Sequence, residues 1–532
     1  MCRLRTVVWA PVGVAFCAAA LFPADDIRFS NESKTAGTFM QSRTKHPNPE
    51  LAQGEWPPGG KTEIGYYAWP FDVVWMDANG DGTWDLFMAN HAHGIWSRLW
   101  LGDGKGKFTV VPPEKLLAEG KSRGSFSLLP IDFGTGAQDL LLSDGDVPSS
   151  QFHYTGPVGK LAPESFAWVK ETLGGATYTY LLADMNGDGN VDAAVGANRG
   201  AAGKVCFGKG QSWVKDFAAG PEAFVGFHSL AADMNGDGWP DILASDFGET
   251  RAKREFYVGL SLNDGKGGFK DVAEEAGLVA APAGGNIVAA DFNNDGLMDI
   301  YVCGYPSTKK DEGAVKLYLN LGGGKFRDAT EGSGLEGPKA AWQTRYVKST
   351  ADDFDDDGLV DIVNWASTGF RLYQNLGGGK FKDVTETSGI AKSASGEPCA
   401  ASADYDGDGL VDLAVLSEGV WLGRNVTQTK NGWMEVKVKG PRGNPSAAGA
   451  SVTIYRSGRL GDKDAVLGHR QAIFSTDFHT TGSRLHFGLG TEGTCDVRAV
   501  YPGGKPIEQF GVKAKSRVTV DFEKVPIGEE AP

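Results

Sequence analysis

A nine-residue acidic motif recurs along the chain, with Asp or Asn at positions 1, 3 and 5, Gly at position 6 and Asp at position 9. Complete copies begin at Asp77, Asp184, Asp233, Asp291, Asp353 and Asp404. Oxygen side chains at alternate positions around a sharp glycine turn are the hard ligands that calcium prefers, and position 7 can add its backbone carbonyl. The spacing therefore predicts a calcium site in each complete loop.

The predicted ligands are the residues at positions 1, 3, 5, 7 and 9 of every complete loop. They are Asp77, Asn79, Asp81, Thr83 and Asp85; Asp184, Asn186, Asp188, Asn190 and Asp192; Asp233, Asn235, Asp237, Trp239 and Asp241; Asp291, Asn293, Asp295, Leu297 and Asp299; Asp353, Asp355, Asp357, Leu359 and Asp361; and Asp404, Asp406, Asp408, Leu410 and Asp412. The formal net charge is -15, and about six Ca²⁺ would offset most of it.

An EF-hand is the obvious alternative for such loops. It requires Glu at position 12, where this chain has Met88, Val195, Ala244, Val302, Asn364 and Val415. Since those residues belong to the next strand, the Asp at position 9 is the predicted bidentate ligand. Solvated turns are the other alternative, and six loops in register argue against it.

A seventh, degenerate copy runs from Asp132 to Asp139. Gly134 and Gly136 replace the side chains at positions 3 and 5, and the last Asp arrives one residue early. We expect this loop to bind no cation.

The elements around the loops repeat as well. Apolar runs precede and follow each loop, as at Phe71–Met76 and Asp299–Val302, and a glycine-rich hairpin follows, as at Leu317–Phe326. Successive loops start 49 to 62 residues apart. Four short strands per unit in seven units predict an all-β fold, a seven-bladed β-propeller with calcium loops plus a small C-terminal β domain.

The seventh unit lacks its own fourth strand. The N-terminal segment Ile27–Gly37 resembles the fourth-strand segment Phe381–Gly389 of the preceding unit and could supply it. The predicted organisation is a signal peptide at 1–24, an N-terminal segment at 25–65, the propeller at 66–425, a β domain at 430–523 and a tail at 524–532.

The motifs resemble known families. The loops and strands over Tyr66–Asn425 look like the FG-GAP/VCBS repeats of integrin-α-like propellers. The C-terminal region resembles the ASPIC/UnbV domain at Asn431–Trp433, Asn444–Val452, Arg484–Gly490 and Val500–Gly504. Together they resemble the family of cartilage acidic protein and its bacterial relatives. Two features depart from that pattern, Tyr501 in place of the usual Trp and the incomplete second loop.

The N-terminus has the features of an export signal. Arg3 and Arg5 precede the apolar run Val7–Leu21, which is shorter than the roughly 20 residues that span a membrane. Lipid attachment at Cys17 is the alternative, which Phe16 disfavours. We therefore expect a secreted protein, extracellular, periplasmic or at the cell surface, without a membrane span.

Charge and cysteine spacing narrow the function classes further. The negative charge argues against nucleic-acid binding. The remaining cysteines have no metal-ligand spacing and are expected to be unpaired buried thiols; they are Cys206, Cys303, Cys399 and Cys495.

No catalytic constellation or organic cofactor motif is apparent. The sequence favours a non-catalytic recognition or adhesion module whose partner is an extracellular protein, a glycan or a small molecule. The alternative is an extracellular enzyme acting on carbohydrate or a small molecule on one propeller face. His91 and His93 could contribute to a pocket there, or be ordinary turn residues, near Trp75, Trp84, Trp96 and Trp100.

Overall fold

The computed structural model describes residues 26–32, 70–90, 98–111, 127–143, 150–154, 166–170, 177–197, 203–208, 218–223, 225–226, 228–245, 258–278, 283–305, 315–336, 348–366, 369–390, 399–416, 420–475 and 482–524. Within these ranges the regular structure is almost entirely β-strand, and the single α-helix, α1 (Thr385–Ser388), has one turn. The prediction of an all-β fold is confirmed.

Most strands form four-stranded antiparallel sheets, called blades here. After β1 (Phe29–Asn31), the first three blades comprise β2 (Pro70–Met76), β3 (Asp85–Asn90), β4 (Arg98–Gly102), β5 (Phe108–Val110); β6 (Ser127–Ile131), β7 (Asp139–Ser143), β8 (Ser150–Tyr154), β9 (Phe166–Lys170); and β10 (Thr177–Ala183), β11 (Asp192–Ala197), β12 (Gly203–Phe207), β13 (Ala218–Ala223).

The next four blades follow the same order. They comprise β14 (His228–Ala232), β15 (Asp241–Ser245), β16 (Val258–Asn263), β17 (Phe269–Asp271); β18 (Ala283–Ala290), β19 (Asp299–Tyr305), β20 (Val315–Asn320), β21 (Phe326–Asp328); β22 (Lys348–Asp352), β23 (Asp361–Ala366), β24 (Gly369–Asn375), β25 (Phe381–Asp383); and β26 (Cys399–Ala403), β27 (Asp412–Leu416), β28 (Val420–Asn425) with β1.

The first strand of each blade is its innermost strand. Among the described strands, β2, β6, β10, β14, β18, β22 and β26 contact one another in that order, and β26 also contacts β2. All five residues of β14 are buried. Radial sheets around shared inner strands define a β-propeller.

The strand β1 joins the two ends of the propeller. It pairs antiparallel with β28, with Phe29 opposite Asn425 and Asn31 opposite Gly423. Phe29 packs its ring edge-on against Phe354, 5.7 Å away. The last blade therefore takes its outermost strand from the N-terminal segment, which pairs the edge of β28.

The C-terminal region forms a separate pair of sheets. Its elements are β29 (Gly432–Lys439), β30 (Ser451–Arg456), a 3₁₀ turn (Lys463–Ala465), β31 (Val466–Gln471), β32 (Phe474–Ser475), β33 (Arg484–Gly490), β34 (Thr494–Val500), β35 (Ile507–Lys513), β36 (Ser516–Asp521) and a second 3₁₀ turn (Phe522–Lys524). One sheet has the order β33-β29-β36 and the other β31-β30-β34-β35.

This C-terminal domain packs directly on the propeller. Its core residues, among them Val452 and Phe487, share one buried cluster with Leu129 and Leu182 of the second and third blades. The short strand β32 leaves the domain and pairs with β10, so that Ser475 lies opposite Leu181. The domain is therefore anchored both by apolar packing and by backbone hydrogen bonds.

Several predictions fall outside the described residues. They concern the signal peptide at 1–24, Cys17, His91, His93, Trp96 and most of the N-terminal segment 25–65. Within the described ranges, no helix is long and apolar enough to cross a membrane. The four cysteines retained after the predicted signal all lie in the described ranges and form no disulfide, and all except the partly exposed Cys206 are buried.

Candidate functional site

Each complete acidic loop connects the first two strands of a blade and closes on its own backbone. The carboxylate at position 1 accepts the N–H of the glycine at position 6 at 2.8 to 3.1 Å in all six loops. Those glycines have φ between +80° and +103°, a conformation that costs glycine little. The motif glycine is therefore required by the turn.

The Asp at position 9 ties the loop to the rest of its blade. One of its oxygens accepts the N–H of position 2 at 2.8 to 3.1 Å. The other accepts an N–H at the end of the third strand at 2.7 to 2.9 Å. Each carboxylate oxygen retains accepting capacity, so this Asp can be structural and still face a cation.

The carboxylates converge most closely in the sixth and seventh loops. Oxygens of Asp353, Asp355 and Asp361 lie within 4.8 Å of one another, and those of Asp404, Asp406 and Asp412 form an equivalent group. The position 5 residues of these loops, Asp357 and Asp408, are outside the two groups. Asp408 forms an ion pair with Arg424 at 3.0 Å. Arg424 also contacts Asp406, so it partly neutralises the seventh loop.

Burial and mutual repulsion raise the pKa values of these carboxyl groups. Burial first, then the Asp184 charge, raises the pKa of Asp192 to about 8. Burial and the Asp291 charge raise that of Asp299 to about 9. Position 9 has a raised pKa in the other complete loops too, from burial and neighbouring carboxylates. Ionising such a cluster is unfavourable without a cation among its members.

Buried oxygens without partners supply an independent test of cation fit. Among the described residues, one Oδ1 atom each of Asp77, Asp353 and Asp355 is buried and accepts no hydrogen bond. An unsatisfied buried acceptor is costly, and a hard, oxygen-only donor set matches calcium. The residues present therefore fit a bound Ca²⁺.

The degenerate second loop closes on its first carboxylate through the loop backbone, as complete loops do. Asp132 Oδ1 accepts the N–H groups of Gly134, Thr135 and Gly136 at 2.7, 3.0 and 3.1 Å, and Asp233 likewise accepts three backbone N–H groups of its own complete loop. The second loop differs because glycines replace the side chains at positions 3 and 5. It therefore offers a cation fewer ligand oxygens.

Neighbouring loops are linked by asparagines that end the third strands of four blades. Asn320 Nδ2 donates to Met298 O of its own loop and to Met234 O of the preceding loop, at 2.8 and 2.9 Å. The equivalent bonds of the other blades come from Asn263, Asn375 and Asn425. The loops of the third to seventh blades are consequently linked one to the next by hydrogen bonds.

The C-terminal domain covers the face on which all seven loops lie. Each loop bonds to it, through the pairs Gly82–Arg484, Asp132–Ser446, Asp184–Tyr501, Asp233–Gln471, Asn294–Leu467, Asp356–His486 and Asp404–Arg517. Two of these bonds reach the side-chain carboxylate at position 1. Tyr501 Oη donates to Asp184 at 3.0 Å, and Arg517 donates to Asp404 at 2.7 Å. The loops therefore form the docking surface for this domain.

The sixth loop makes several hydrogen bonds to the C-terminal domain. His486 Nε2 lies 2.8 Å from Asp356 Oδ1. Gly490 N donates to Asp356 O at 2.9 Å, and Asn431 donates to the Asp355 carbonyl at 2.9 Å. Asp356 occupies position 4, which is not a predicted ligand position. In the sixth loop, docking and the predicted cation binding therefore use different side chains.

The sequence motif identified the loop residues but not their partners. The predicted position 7 residues donate their N–H groups to the position 5 carboxylates at 2.8 to 3.0 Å. Arg424, Tyr501 and Arg517 carried no signal in the sequence, because their contacts are distant along the chain. The repeated Asn at the end of each Leu-Tyr-Leu-Asn-like segment could have been recognised.

The aromatic pocket around His91 and His93 stays a prediction, because both histidines and Trp96 lie outside the described residues. Trp75 stacks on Tyr405 with centroids 5.5 Å apart and donates to Ala401 O. Trp100 is buried in the same core cluster. These two rings therefore have packing roles.

The family comparison places the chain in a class of proteins. A model of the FG-GAP-like repeat matches residues 233–302 and 353–415, which cover loops of the fourth to seventh blades. With the sheets described above, the chain is a β-propeller that contains FG-GAP-like repeats in its fourth to seventh blades.

Among curated proteins, the chain is similar to cartilage acidic protein 1. It is 27% identical to the mouse and human proteins over 273 residues, which is 47% of this chain and 38% of theirs. The Xenopus tropicalis protein is 28% identical over 269 residues, 46% of this chain and 38% of that protein. The match thus spans well under half the length of these relatives.

Solved structures give weaker similarity. An Agrocybe aegerita lectin that recognises non-reducing terminal N-acetylglucosamine has a TM-score of 0.40 and 18% identity, covering 67% of this chain and 87% of the lectin. A GH74 xyloglucanase from Xanthomonas campestris has a TM-score of 0.35 and 13% identity, covering 84% of this chain and 66% of the enzyme. Overlaps at this level carry no inference about function.

Proposed function

We propose that this chain is a secreted, calcium-binding, seven-bladed β-propeller that acts as a non-catalytic recognition or adhesion module. The observation that carries the calcium assignment is the convergence of carboxylates in the sixth and seventh loops, with unpartnered oxygens in the first and sixth, at positions that recur in six loops. The predicted signal at 1–24 and the similarity to cartilage acidic protein 1 support an extracellular location.

In this proposal, positions 1, 3, 5 and 9 hold the cation by their side chains and position 7 by its carbonyl. Bound calcium would supply positive charge among carboxylates that otherwise repel each other. The position 6 glycine and the third-strand N–H groups fix the carboxylates before binding. Since the same loops carry the C-terminal domain, cation binding would rigidify the whole face rather than isolated turns.

The recognition role concerns surfaces outside the covered loop face. We propose that the C-terminal domain, which matches the ASPIC/UnbV motifs, and the propeller form one rigid platform for an extracellular protein, glycan or small molecule. The tight coupling of the loops to this domain supports a structural use of calcium, because a mobile ligand-binding loop would not be bonded to a second domain.

Two titrations test the proposal. Chelator-treated protein titrated with calcium in a calorimeter should bind about six ions per chain, and magnesium should bind far more weakly because it requires a stricter geometry. Binding to an extracellular protein and glycan array should then depend on calcium. Equal magnesium affinity would contradict the calcium assignment, and hydrolysis of array glycans would contradict the non-catalytic role.

A further inference from the structure

A cavity of about 640 Å³ lies between the inner propeller strands and the C-terminal domain. The propeller contributes wall residues from β2, β18, β22 and β26, and the domain contributes residues from β29, β31 and β33. Sites for small molecules usually measure roughly 300 to 1,000 Å³ and combine apolar walls with a few convergent polar groups. This cavity has both properties.

One cation in the wall lacks a complete set of partners. Arg470 is only 7% exposed, and its Nη1 donates to His469 O at 3.1 Å. Its guanidinium carbon lies 5.4 Å from the centroid of the Phe487 ring. Its Nη2 is buried and has no hydrogen-bond partner among the described residues. A buried guanidinium N–H group without a partner is unfavourable unless another molecule in the cavity accepts a hydrogen bond from it.

A second donor in the same wall is also unpartnered. The indole Nε1 of Trp84 is buried without an acceptor, while the Arg484 guanidinium lies 4.2 Å from the centroid of its ring. Arg484 itself pairs with Glu435 at 3.1 Å. The indole N–H, rather than Arg484, is therefore the group that remains available.

The acids of the wall are largely satisfied by protein groups. Asp72 accepts the N–H groups of Val73 and Leu128. Asp352 accepts from Ser402 Oγ, Asp404 pairs with Arg517, and Asp132 is bonded by its own loop. Asp77 keeps one free oxygen, which the proposed calcium would occupy, and the remaining acid, Glu523, is exposed. The unmet hydrogen-bonding capacity of the cavity is thus on the donor side.

Lys437 and Lys439 of β29 add positive charge to the same wall. We propose that this cavity binds a small polar molecule bearing an oxyanion, a carboxylate or sulfate, with the oxyanion on Arg470 and an acceptor oxygen on Trp84. The planar fork of an arginine suits two-point recognition of such a group. Trp84 is position 8 of the first loop, and, while burial raises the pKa of Asp291 in the fifth loop, the Arg470 charge acts to lower it. Neither donor is a predicted calcium ligand, so this site adjoins the metal loops but goes beyond the proposed function.

Calorimetry on the full chain in calcium tests this site with defined probes. D-glucuronate carries a carboxylate, N-acetylglucosamine 6-sulfate carries a sulfate, and D-glucose is the neutral control. At least one anion should bind with a Kd in the millimolar range or below, and glucose should not. No binding of either anion up to about 10 mM, or equal binding of glucose, would overturn the proposal.

Arg470→Gln removes the charge and should weaken anion binding by at least about tenfold, equivalent to one decade in Kd, whereas Arg470→Lys should retain part of it. Arg498→Gln is the matched control, since Arg498 pairs with Glu508 on the surface of the same domain, and it should bind like the wild type. Trp84→Phe keeps the ring under Arg484 and should weaken binding several-fold, which tests the site even if Arg470→Gln does not fold. Wild-type affinity in both Arg470→Gln and Trp84→Phe would refute the assignment.

Discussion

The second and sixth blades place an Asp at the start of equivalent loops and solve the same electrostatic problem differently. In the second loop, three backbone N–H groups surround Asp132 Oδ1. In the sixth loop, Asp353 and Asp355 are buried beside one another, and each has an oxygen without a partner. Both loops still bond to the C-terminal domain. Docking therefore does not require side chains at positions 3 and 5. In the proposed function those side chains decide whether the loop binds a cation.

Removing calcium should have the largest effect, because complete loops outnumber the degenerate one. Each site occupied at a hundredfold excess over Kd contributes about 2.7 kcal/mol to folding, while domains have only about 5–15 kcal/mol in total. We expect excess EDTA to lower the melting temperature by about 10 °C or more, measured by differential scanning fluorimetry. A shift within about two degrees would show that calcium does not stabilise the fold.

Asn substitutions at position 1 of the two loops compare them directly. Asp353→Asn should abolish one calcium site and lower the melting temperature in calcium. In EDTA the same change should be neutral or stabilising, because it removes one of several crowded buried carboxylates. Melting curves of each variant with calcium and with EDTA measure both effects.

Asp132→Asn is the matched control. It should leave the calcium count unchanged and destabilise the protein by about 1 kcal/mol in both conditions, because charged acceptors form stronger hydrogen bonds than neutral ones. The comparison fails if Asp132→Asn lowers the calcium count, or if Asp353→Asn leaves it unchanged.

Acidification should weaken calcium binding by the complete loops. Without a cation, burial and neighbouring charges raise the pKa of Asp192 to about 8 and of Asp299 to about 9, above the ordinary 3.8. These groups therefore favour the calcium-free fold below about pH 4 and lose that contribution as pH rises through 8 to 9.

Protons and calcium compete for the same oxygens, so calcium affinity should fall by more than about tenfold from pH 8 to pH 6. Calorimetric titrations at the two pH values measure this, and melting in EDTA should show higher stability at pH 5 than at pH 8. A calcium affinity independent of pH would show that the carboxylates are not protonated in the calcium-free protein.

Loss of the contact between His486 and Asp356 should have a small effect on stability and none on calcium content. His486→Gln leaves the buried Asp356 carboxylate with a weaker partner and should cost about 1–2 kcal/mol without changing the calcium count. Thermal melting and limited proteolysis between the propeller and the C-terminal domain measure it. A lost calcium ion in this variant would show that docking and cation binding are not separable in the sixth loop.

The sequence predicted the local features well because they depend on short spacings. Asp353, Gly358 and Asp361 specify one loop through bonds within nine residues, and the flanking β23 follows from an apolar run. The placement of the C-terminal domain could not be predicted, because Tyr501 meets Asp184 across 317 positions of the chain. Tyr501 was noted only as a departure from a family pattern, yet its hydroxyl reaches a position 1 carboxylate.

Metal content tests the central claim most directly. The account predicts about six calcium ions per chain, one for each complete loop, when protein purified without chelator is examined by elemental analysis. Asp353→Asn should contain one ion fewer and Asp132→Asn the same number as the wild type. Fewer than about three ions per chain, or zinc or iron as the main metal, would contradict the account.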